Sequence, residues 1–295
     1  MVIALVKPAR LGEHETIAIL LIVRDNRFEY LCRKYMVDIH CHLLPGLDDG
    51  ADTLETSIQM AEMAIADGIT HVIGTPHANS QYKFDPDLIR RRRDELQSAV
   101  GDRLTLATGC DFHLSFENLQ DLQKNPQKYT LNQKNYLLVE FADFAIPPSV
   151  DETLHQLQLA GLSPIITHPE RNGLLRAQPE RMYRWLHQGC YVQITALSIL
   201  GRFGSAAQSR AEEWLDADRI HFVSSDAHNL KGRPLQLRAA FEAVVARRGE
   251  TVARALFQDN PLAVFEGRNL PYEPEQADPS AKPPQYPRRK RFLFF

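Results

Sequence analysis

Histidine and carboxylate side chains follow short apolar runs at several points along this chain. His40 and His42 stand two residues apart in the first of these runs, so both side chains point to one face of an extended strand. The further histidines and carboxylates at corresponding places are Asp48, Asp49, His77, Asp111, Glu140, His168, Asp226 and His228. Imidazole and carboxylate groups without cysteine are typical ligands of Mn, Fe, Zn or Mg. So many candidate ligands predict a centre of two or three divalent ions, which would activate water and bind phosphoryl oxygens.

The elements that must position these side chains are predicted as alternating strands and helices. The candidate strands cover residues 37–42, 71–75, 104–109, 136–141, 164–168, 191–195 and 220–225. Amphipathic segments lie between most of them; for example, Asp52 and Glu55 are typical of a helix start, and Gly68 of its end. Repeated strand–helix units predict a parallel sheet, and seven of them in about 230 residues favour a closed, TIM-like α/β barrel. Six of the seven strands then carry a histidine or carboxylate at the same end, where barrel enzymes build their active sites.

Four of the histidines outside this pattern are expected to be structural. They are His71, His155, His187 and His221. Their neighbours show no metal-ligand pattern, and an isolated histidine is more often a hydrogen-bonded structural residue than a ligand.

The composition is ordinary for a globular protein and excludes several classes. The 295 residues are 44% hydrophobic and 24% charged, with a net formal charge of −3. This near-neutral balance gives no support for a nucleic-acid partner. The four cysteines, at positions 32, 41, 110 and 190, contain no CxxC pair and favour a reducing, cytoplasmic setting. The apolar run 17–23 is much shorter than the roughly 20 residues of a membrane helix.

The pattern divides the chain into three regions. Residues 1–35 form an N-terminal extension, or lie upstream of a true start at Met36. Residues 36–268 hold all the strand and ligand motifs and form the catalytic domain. Residues 269–295 are rich in proline, end in a basic and aromatic run, and are predicted to be disordered. An alternative for this tail is weak binding to an anionic membrane surface.

Several of these runs together resemble the motifs of one known superfamily. The run from Asp38 to Gly50, DIHCHLLPGLDDG, is similar to the opening motif of the PHP (polymerase and histidinol phosphatase) superfamily. More narrowly, it resembles the bacterial capsule and exopolysaccharide tyrosine phosphatases of the CpsB/CapC family. Later blocks match in order at 75–77, 167–171 and 225–234. The resemblance spans about residues 36–266 and implies a PHP-type distorted (β/α)7 TIM-like barrel.

Carried over by position, the resemblance implies three groups of metal ligands. The groups are His40, His42 and Asp226; Glu140 and His168; and Asp49, His77 and His228. Where the family normally has a glutamate that bridges two ions, this chain has Asp111. Arg171 and Arg233 resemble the family's phosphate-binding arginines, with a surface salt bridge as their alternative role. The implied reaction is hydrolysis of phosphotyrosine by a metal-activated hydroxide, with Mn as the preferred ion and Fe, Zn or Mg as alternatives.

The resemblance also implies a partner, a tyrosine-phosphorylated protein. The expected protein is a membrane-anchored bacterial tyrosine kinase that controls capsule or exopolysaccharide synthesis. A cysteine-dependent tyrosine phosphatase is excluded, because no arginine stands six positions after any of the four cysteines. Two alternatives stay open: another PHP phosphoesterase, such as a histidinol-phosphate phosphatase, and a non-catalytic regulator that binds phosphoproteins. For the consecutive arginines 90–93 we expect a solvated helix face, with a homo-oligomer contact or docking of a phosphotyrosine tail as the alternative.

Overall fold

Nine parallel strand segments form the centre of the fold in the computed structural model, which describes residues 36–274. They are β1 (Met36–Cys41), β2 (Ile69–Gly74), β3 (His77–Ala78), β4 (Thr105–Thr108), β5 (Asp111–His113), β6 (Tyr136–Glu140), β7 (Ser163–Thr167), β8 (Tyr191–Thr195) and β9 (Phe222–Ser224). Each of the seven predicted strands is present, with its ends within two residues of the prediction. The predicted N-terminal extension, with the apolar run 17–23, and the tail from residue 275 onward lie outside the described residues.

The strands close into a distorted barrel, as predicted. They pair in two parallel sheets, ordered β1-β2-β4 and β3-β5-β6-β7-β8-β9. Only Thr75 and Pro76 separate β2 from β3, and proline has no N–H for a ladder hydrogen bond, so one long strand is broken there. β4 and β5 are likewise two residues apart. The N–H of Asp226, just after β9, donates to the carbonyl oxygen of His40 in β1 at 2.9 Å, which joins the last strand to the first.

Helices follow most of the strands. In residues 36–274 they are α1 (Leu54–Asp67), α2 (Pro86–Val100), α3 (Phe116–Lys124), α4 (Val150–Leu159), α5 (Gly173–Ala177), α6 (Pro179–His187), α7 (Ala196–Ile199), α8 (Ser205–Asp216), α9 (Arg238–Arg248), α10 (Glu250–Arg254) and α11 (Asn260–Glu266), with a π-helical turn, Ala255–Asp259, before the last. α1 ends at Gly68 as predicted, with a φ of 92° that favours glycine. Its predicted start was wrong by one residue, because Thr53 rather than Asp52 accepts from the N–H of Thr56. No described helix is long and apolar enough to cross a membrane.

The consecutive arginines lie on the surface of α2 and pair locally. Arg92 pairs with Glu95 at 3.0 Å, and Arg93 with Asp94 at 2.6 Å. This arrangement fits a solvated helix face, and a role of these arginines in assembly or docking stays a prediction.

Two groups of buried apolar side chains hold the barrel together. The larger packs strand residues such as Val192 against helix residues such as Trp185 and Trp214. The smaller joins strand side chains to α11 and to Leu270. The hydroxyl of Tyr136, at the start of β6, donates to the carbonyl oxygen of residue 268 at 2.8 Å. The chain just beyond α11 is therefore fastened to the barrel.

Candidate metal centre

The predicted ligand residues come together at the C-terminal end of the strands. The Nε2 atoms of His40 and His42, both in or next to β1, lie 3.3 Å apart. The Nε2 of His40 also lies 3.4 Å from a carboxylate oxygen of Asp111 and 3.4 Å from one of Asp226. The Nδ1 of His77 lies 3.3 Å from the same oxygen of Asp111. The ends of β1 and β9 and the starts of β3 and β5 thus share one centre.

The remaining ligand candidates extend this centre on both sides. The Oδ1 of Asp49 lies 3.4 Å from the Nε2 of His77 and 3.5 Å from the Nε2 of His228. Glu140 lies 3.5 Å from His77 through one oxygen and 3.7 Å from His168 through the other. All nine residues predicted as metal ligands therefore belong to one connected cluster.

Two of these residues adopt backbone angles that are uncommon outside glycine. The φ of His168, directly after β7, is 31°, and that of Asp226, two residues after β9, is 51°. The left-handed conformation costs a non-glycine residue about 1–2 kcal/mol of conformational energy. Such angles concentrate at functional sites, and here they fall on two candidate ligands.

The loop after β1 is packed closely against His42. A Cβ atom at Gly50 would lie 2.0 Å from the carbonyl oxygen of His42, so only glycine fits this position. The Oδ2 of Asp48 lies 2.6 Å from the Nδ1 of His42 and accepts from the N–H of His77 at 3.0 Å. Asp48 thus orients two candidate ligands, a role that its place in the sequence did not reveal.

Gln193 belongs to the site but was not among the predicted residues. It lies in β8, the one predicted strand without a histidine or carboxylate at its C-terminal end, and its Oε1 lies 2.9 Å from the Nδ1 of His40. Its amide nitrogen donates to the carbonyl oxygen of Ile194 at 2.8 Å, so Nδ1 of His40 is the donor in the first contact. This leaves the Nε2 of His40 free to bind a metal. The available signal was one polar residue between the apolar Val192 and Ile194.

Asp38 binds backbone N–H groups beside two candidate ligands, His40 and Asp226. Its Oδ1 accepts from the N–H of His40 and from the N–H of Ser225, both at 3.2 Å. Burial raises the pKa of Asp38 to about 6. The carboxyl group therefore ties β1 to the segment that follows β9.

Four sets of side chains lie close enough together to hold an ion. They are His42, Asp49, His77 and His228; His40, Asp111 and His168; His40, His42 and Asp226; and His77, Asp111 and Glu140. Within each set the candidate ligand atoms lie within 4.8 Å of one another. Asp111 belongs to two of the sets, as do His40, His42 and His77, so the sets overlap.

The surroundings of the Asp111 carboxylate show whether these residues fit a bound cation. Both of its oxygens are buried, and neither accepts a hydrogen bond from the residues that the structure describes. A buried carboxylate without donors is costly, and native proteins avoid it unless a cation or ordered water satisfies it. Histidine nitrogens of two different strands already face this carboxylate at 3.3–3.4 Å. The residue set therefore fits a divalent metal.

Opposed charges shift the pKa values within the cluster. Burial by itself would lower the pKa of His42, but the negative charge of Asp48 raises it to about 9. Burial, together with the charge of Asp111, raises the pKa of Glu140 to about 8. A metal ion would keep such carboxylates deprotonated and the histidines neutral, because ligands bind in those forms.

Arg171 and Arg233, the predicted phosphate-binding arginines, both reach the centre. Each donates a hydrogen bond to the Oδ2 of Asp226. Each side chain remains 24% exposed, so its guanidinium can be reached from solvent. The guanidinium of Arg171 also stacks on Phe203, with 4.3 Å to the ring centroid. Phe203 was not predicted from the sequence.

Glu170, next to Arg171, is fully buried and links two loops of the site. Its Oε1 accepts from the N–H of Thr195 at 2.9 Å and from the hydroxyl of Ser198 at 2.7 Å. The end of β7 is thereby fastened to α7, which leads to Phe203.

The four histidines expected to be structural lie apart from this cluster. Within residues 36–274 none of them belongs to a set that could hold an ion. The Nδ1 of His221 accepts from the N–H of Val192 at 3.2 Å, and the Nδ1 of His71 lies 2.9 Å from the hydroxyl of Thr70. The other two lie on α4 and α6.

Comparison with known sequences gives one family and several relatives. The family model for capsular polysaccharide synthesis, CpsB/CapC, matches residues 36–266. The tyrosine-protein phosphatase YwqE of Bacillus subtilis (strain 168) is 34% identical over 264 residues, which cover 88% of this chain and 100% of that protein. The tyrosine-protein phosphatase CpsB of Streptococcus pneumoniae is 28% identical over 241 residues, 78% of this chain and 98% of that protein.

Comparison with solved structures gives a match to the same relatives. A structure from the study of YwqE of B. subtilis and CpsB of S. pneumoniae, described as unique metal-dependent tyrosine phosphatases, matches with a TM-score of 0.75 and 34% identity. The match covers 81% of this chain and 99% of that one. A β-aspartyl dipeptidase of Fervidobacterium islandicum matches with a TM-score of 0.51 at 14% identity, which is a likeness of fold alone.

Proposed function

This chain belongs to the CpsB/CapC family of capsular polysaccharide synthesis, and we propose that its metal centre removes phosphate from phosphotyrosine in a protein. The enzyme is a metal-dependent protein-tyrosine phosphatase, like its relatives YwqE and CpsB. The observation that carries the proposal is the buried carboxylate of Asp111. It has no hydrogen-bond donor among the described residues and lies between His40 and His77. His40 also faces Asp226, which accepts from both arginines, Arg171 and Arg233.

We assign the ligands to the ions as follows. The three groups are His40, His42 and Asp226; Glu140 and His168; and Asp49, His77 and His228. Asp111 would help to hold two ions, because its two carboxylate oxygens are buried without donors and it faces histidines of two different strands. When bound, divalent ions supply positive charge for phosphoryl oxygens and lower the pKa of water. Mn is the proposed ion, with Fe, Zn or Mg as alternatives, because the ligands are oxygen and imidazole nitrogen without thiolate.

Arg171 and Arg233 would bind the phosphate. Their guanidinium groups already converge on one oxygen of Asp226, and a guanidinium offers two parallel donors that match phosphate oxygens. The phosphate would take over some of these donors when it enters. The arginines would then hold the phosphorus beside the metal ligands and stabilise the negative charge of the transition state.

The phenol of tyrosine places few demands on this site. With a pKa of about 10, it leaves as a phenolate more easily than the alkoxide of serine, so a strong general acid is unnecessary. A cysteine nucleophile has no support either. Cys41 and Cys110 are buried, which raises the pKa of each thiol well above its usual value.

The proposed substrate is the tyrosine-phosphorylated tail of a membrane-anchored bacterial kinase. The membership in a capsular polysaccharide synthesis family supports it, because such a phosphatase would reset the kinase that drives polysaccharide export. The proposed compartment is the cytoplasm, where that tail would lie.

Hydrolysis assays test the proposal directly. A phosphotyrosine peptide, a phosphoserine peptide and histidinol phosphate would each be offered to protein stripped by a chelator and then supplied with Mn. We expect Mn to restore activity that prefers phosphotyrosine. His42→Ala should abolish it, whereas His187→Ala, an exposed histidine on α6, should not.

Other outcomes would contradict the proposal. A preference for histidinol phosphate would indicate another PHP phosphoesterase. Tight binding of Mn and phosphopeptide without turnover would indicate a regulator.

A further inference from the structure

Two exposed phenylalanines follow β5 and β6, neighbouring strands that carry candidate metal ligands, and take no part in the chemistry proposed above. Phe144 is 88% exposed and Phe116 is 75% exposed, the largest values among the large hydrophobic side chains in residues 36–274. We call this pair the aromatic rim.

Both residues of the aromatic rim lie close to Glu140 in the fold of the backbone. Phe144 follows Glu140 by four residues. Phe116 is the first residue of α3, and two residues before it the N–H of Leu114 donates to the carbonyl oxygen of Glu140 at 3.5 Å. The aromatic rim therefore lies at the C-terminal ends of β5 and β6, next to a candidate metal ligand.

The loop that carries Phe144 is fastened at its base while its tip stays in solvent. Phe141 is 7% exposed, and its ring lies 5.1 Å from that of Trp185, measured between centroids. The side-chain amide of Asn172 donates to the carbonyl oxygen of Ala142 at 3.2 Å. The same short loop thus buries one phenylalanine and presents another, so the exposure of Phe144 is not caused by a lack of apolar surface nearby.

The start of α3 is fastened in a similar way. The side-chain amide of Asn118 donates to the carbonyl oxygens of Ala78 and His113, at 2.6 and 2.9 Å. Ser115 caps the helix by accepting from the N–H of Asn118 at 3.2 Å. The start of α3 is therefore fixed beside the end of β5, while most of the surface of Phe116 stays exposed.

We propose that the aromatic rim binds apolar residues that flank the phosphotyrosine in the substrate polypeptide. This inference rests on the proposed function. A tyrosine side chain separates its phosphate from the backbone by little more than one ring. With the phosphate held by Arg171 and Arg233, the polypeptide must cross the neighbouring loops, and its apolar side chains can bury the rim there. A small phenyl ester has no flanking residues, so the aromatic rim favours protein substrates over it.

The test measures the hydrolysis of two substrates by the wild type, by a double variant of the aromatic rim and by a control variant. The substrates are a phosphotyrosine peptide with leucine on both sides of the tyrosine, and p-nitrophenyl phosphate. In Phe116→Ser/Phe144→Ser we expect the ratio of the two kcat/KM values, peptide over ester, to fall about tenfold, the equivalent of about 1.4 kcal/mol. The matched control is Leu159→Ser, because Leu159 is 68% exposed but lies at the far end of α4. Its ratio should equal that of the wild type.

Each other outcome would overturn the inference. It is wrong if the ratio is unchanged in the double variant, or if it falls equally in Leu159→Ser. A shift of the double variant to a smaller species in sedimentation velocity would make the aromatic rim an interface between copies instead. If the wild type hydrolyses neither substrate with Mn, the proposed function fails as well. If the wild type hydrolyses both substrates and the ratio is the same in the double variant, only this inference fails.

Discussion

Asp111 is the residue at which this chain departs from the glutamate expected for its family. The shorter side chain still reaches His40 and His77, at 3.4 and 3.3 Å. The reason lies in the backbone, because His77 and Asp111 are direct partners in the register between β3 and β5. A short carboxylate suffices where the two strands already hold the backbones together.

Phe203 gives a prediction at this scale. Replacing it in Phe203→Leu removes the ring on which the guanidinium of Arg171 stacks. We expect the affinity for inorganic phosphate, measured by calorimetry, to fall about 2- to 30-fold, since a cation–π contact is worth about 0.5–2 kcal/mol. KM for a phenyl ester should rise more than kcat falls.

The control for this prediction keeps an aromatic ring. Phe203→Tyr should retain phosphate affinity near that of the wild type. Equal losses in Phe203→Tyr and Phe203→Leu would contradict a stacking role, and no loss in either would show that Arg171 needs no such support.

The sequence revealed the ligand candidates much better than the residues that support them. Histidines and carboxylates at strand ends are visible because barrel strands place their C-terminal ends together. Gln193 and Phe203 were not visible, since each acts on a residue that only the folded chain brings near. Gln193 contacts a histidine 153 positions away in the chain.

At the scale of elements, the seven strands were predictable and their interruptions were not. Apolar runs between helical segments predict buried parallel strands. The break between β2 and β3 falls at Pro76, where the missing N–H ends the ladder. The start of α1 was missed by one residue because Asp52 and Thr53 are both good capping residues, and sequence does not distinguish adjacent candidates.

His221, just before β9, gives a pH prediction. Burial lowers its pKa to about 3, and its Nδ1 accepts from the N–H of Val192. The folded state therefore favours neutral His221, so its stabilisation is complete above the unfolded pKa of about 6.5 and is lost as pH falls below it. Between pH 7.5 and 5 this group should cost about 2 kcal/mol of unfolding free energy.

Denaturant unfolding of chelator-treated protein measures this cost. The wild type should lose about 2 kcal/mol more between the two pH values than His221→Gln, whose side chain does not titrate. Chelation removes the separate effect of pH on metal binding. Parallel pH profiles for the two proteins would contradict the prediction.

At the scale of the whole molecule, the metal centre depends on closure of the barrel. One proposed ligand group combines His40 and His42 in or beside the first strand with Asp226 after the last. The same place carries the backbone bond from Asp226 to His40 and the pairing of Cys41 with Ala227. Sequence could predict a closed and distorted barrel, whereas the splitting of two strands came only from the structure.

Removing metal should therefore weaken the whole fold. Metal at 100 times its Kd would add about 2.7 kcal/mol to stability, which for a barrel of this size corresponds to about 5–10 °C in Tm. We expect a chelator to lower the Tm of the wild type by this amount in a thermal melt.

The control is a variant that has lost the site. His42→Ala should melt at the same temperature with and without chelator, whereas His187→Ala should respond like the wild type. An equal Tm of the wild type with and without chelator would contradict the proposed coupling between metal binding and folding.

The pairing of Cys41 with Ala227 joins residues 186 positions apart, and this separation also sets an order of events in the cell. A ribosome adds about 5–20 residues per second, so the first histidines would wait on the order of 10 s or more for their partners. During that interval a nascent chain would carry half of a catalytic centre and no closed barrel. Activity would therefore begin only after nearly all of the barrel has been synthesised, and a truncated translation product would be inert.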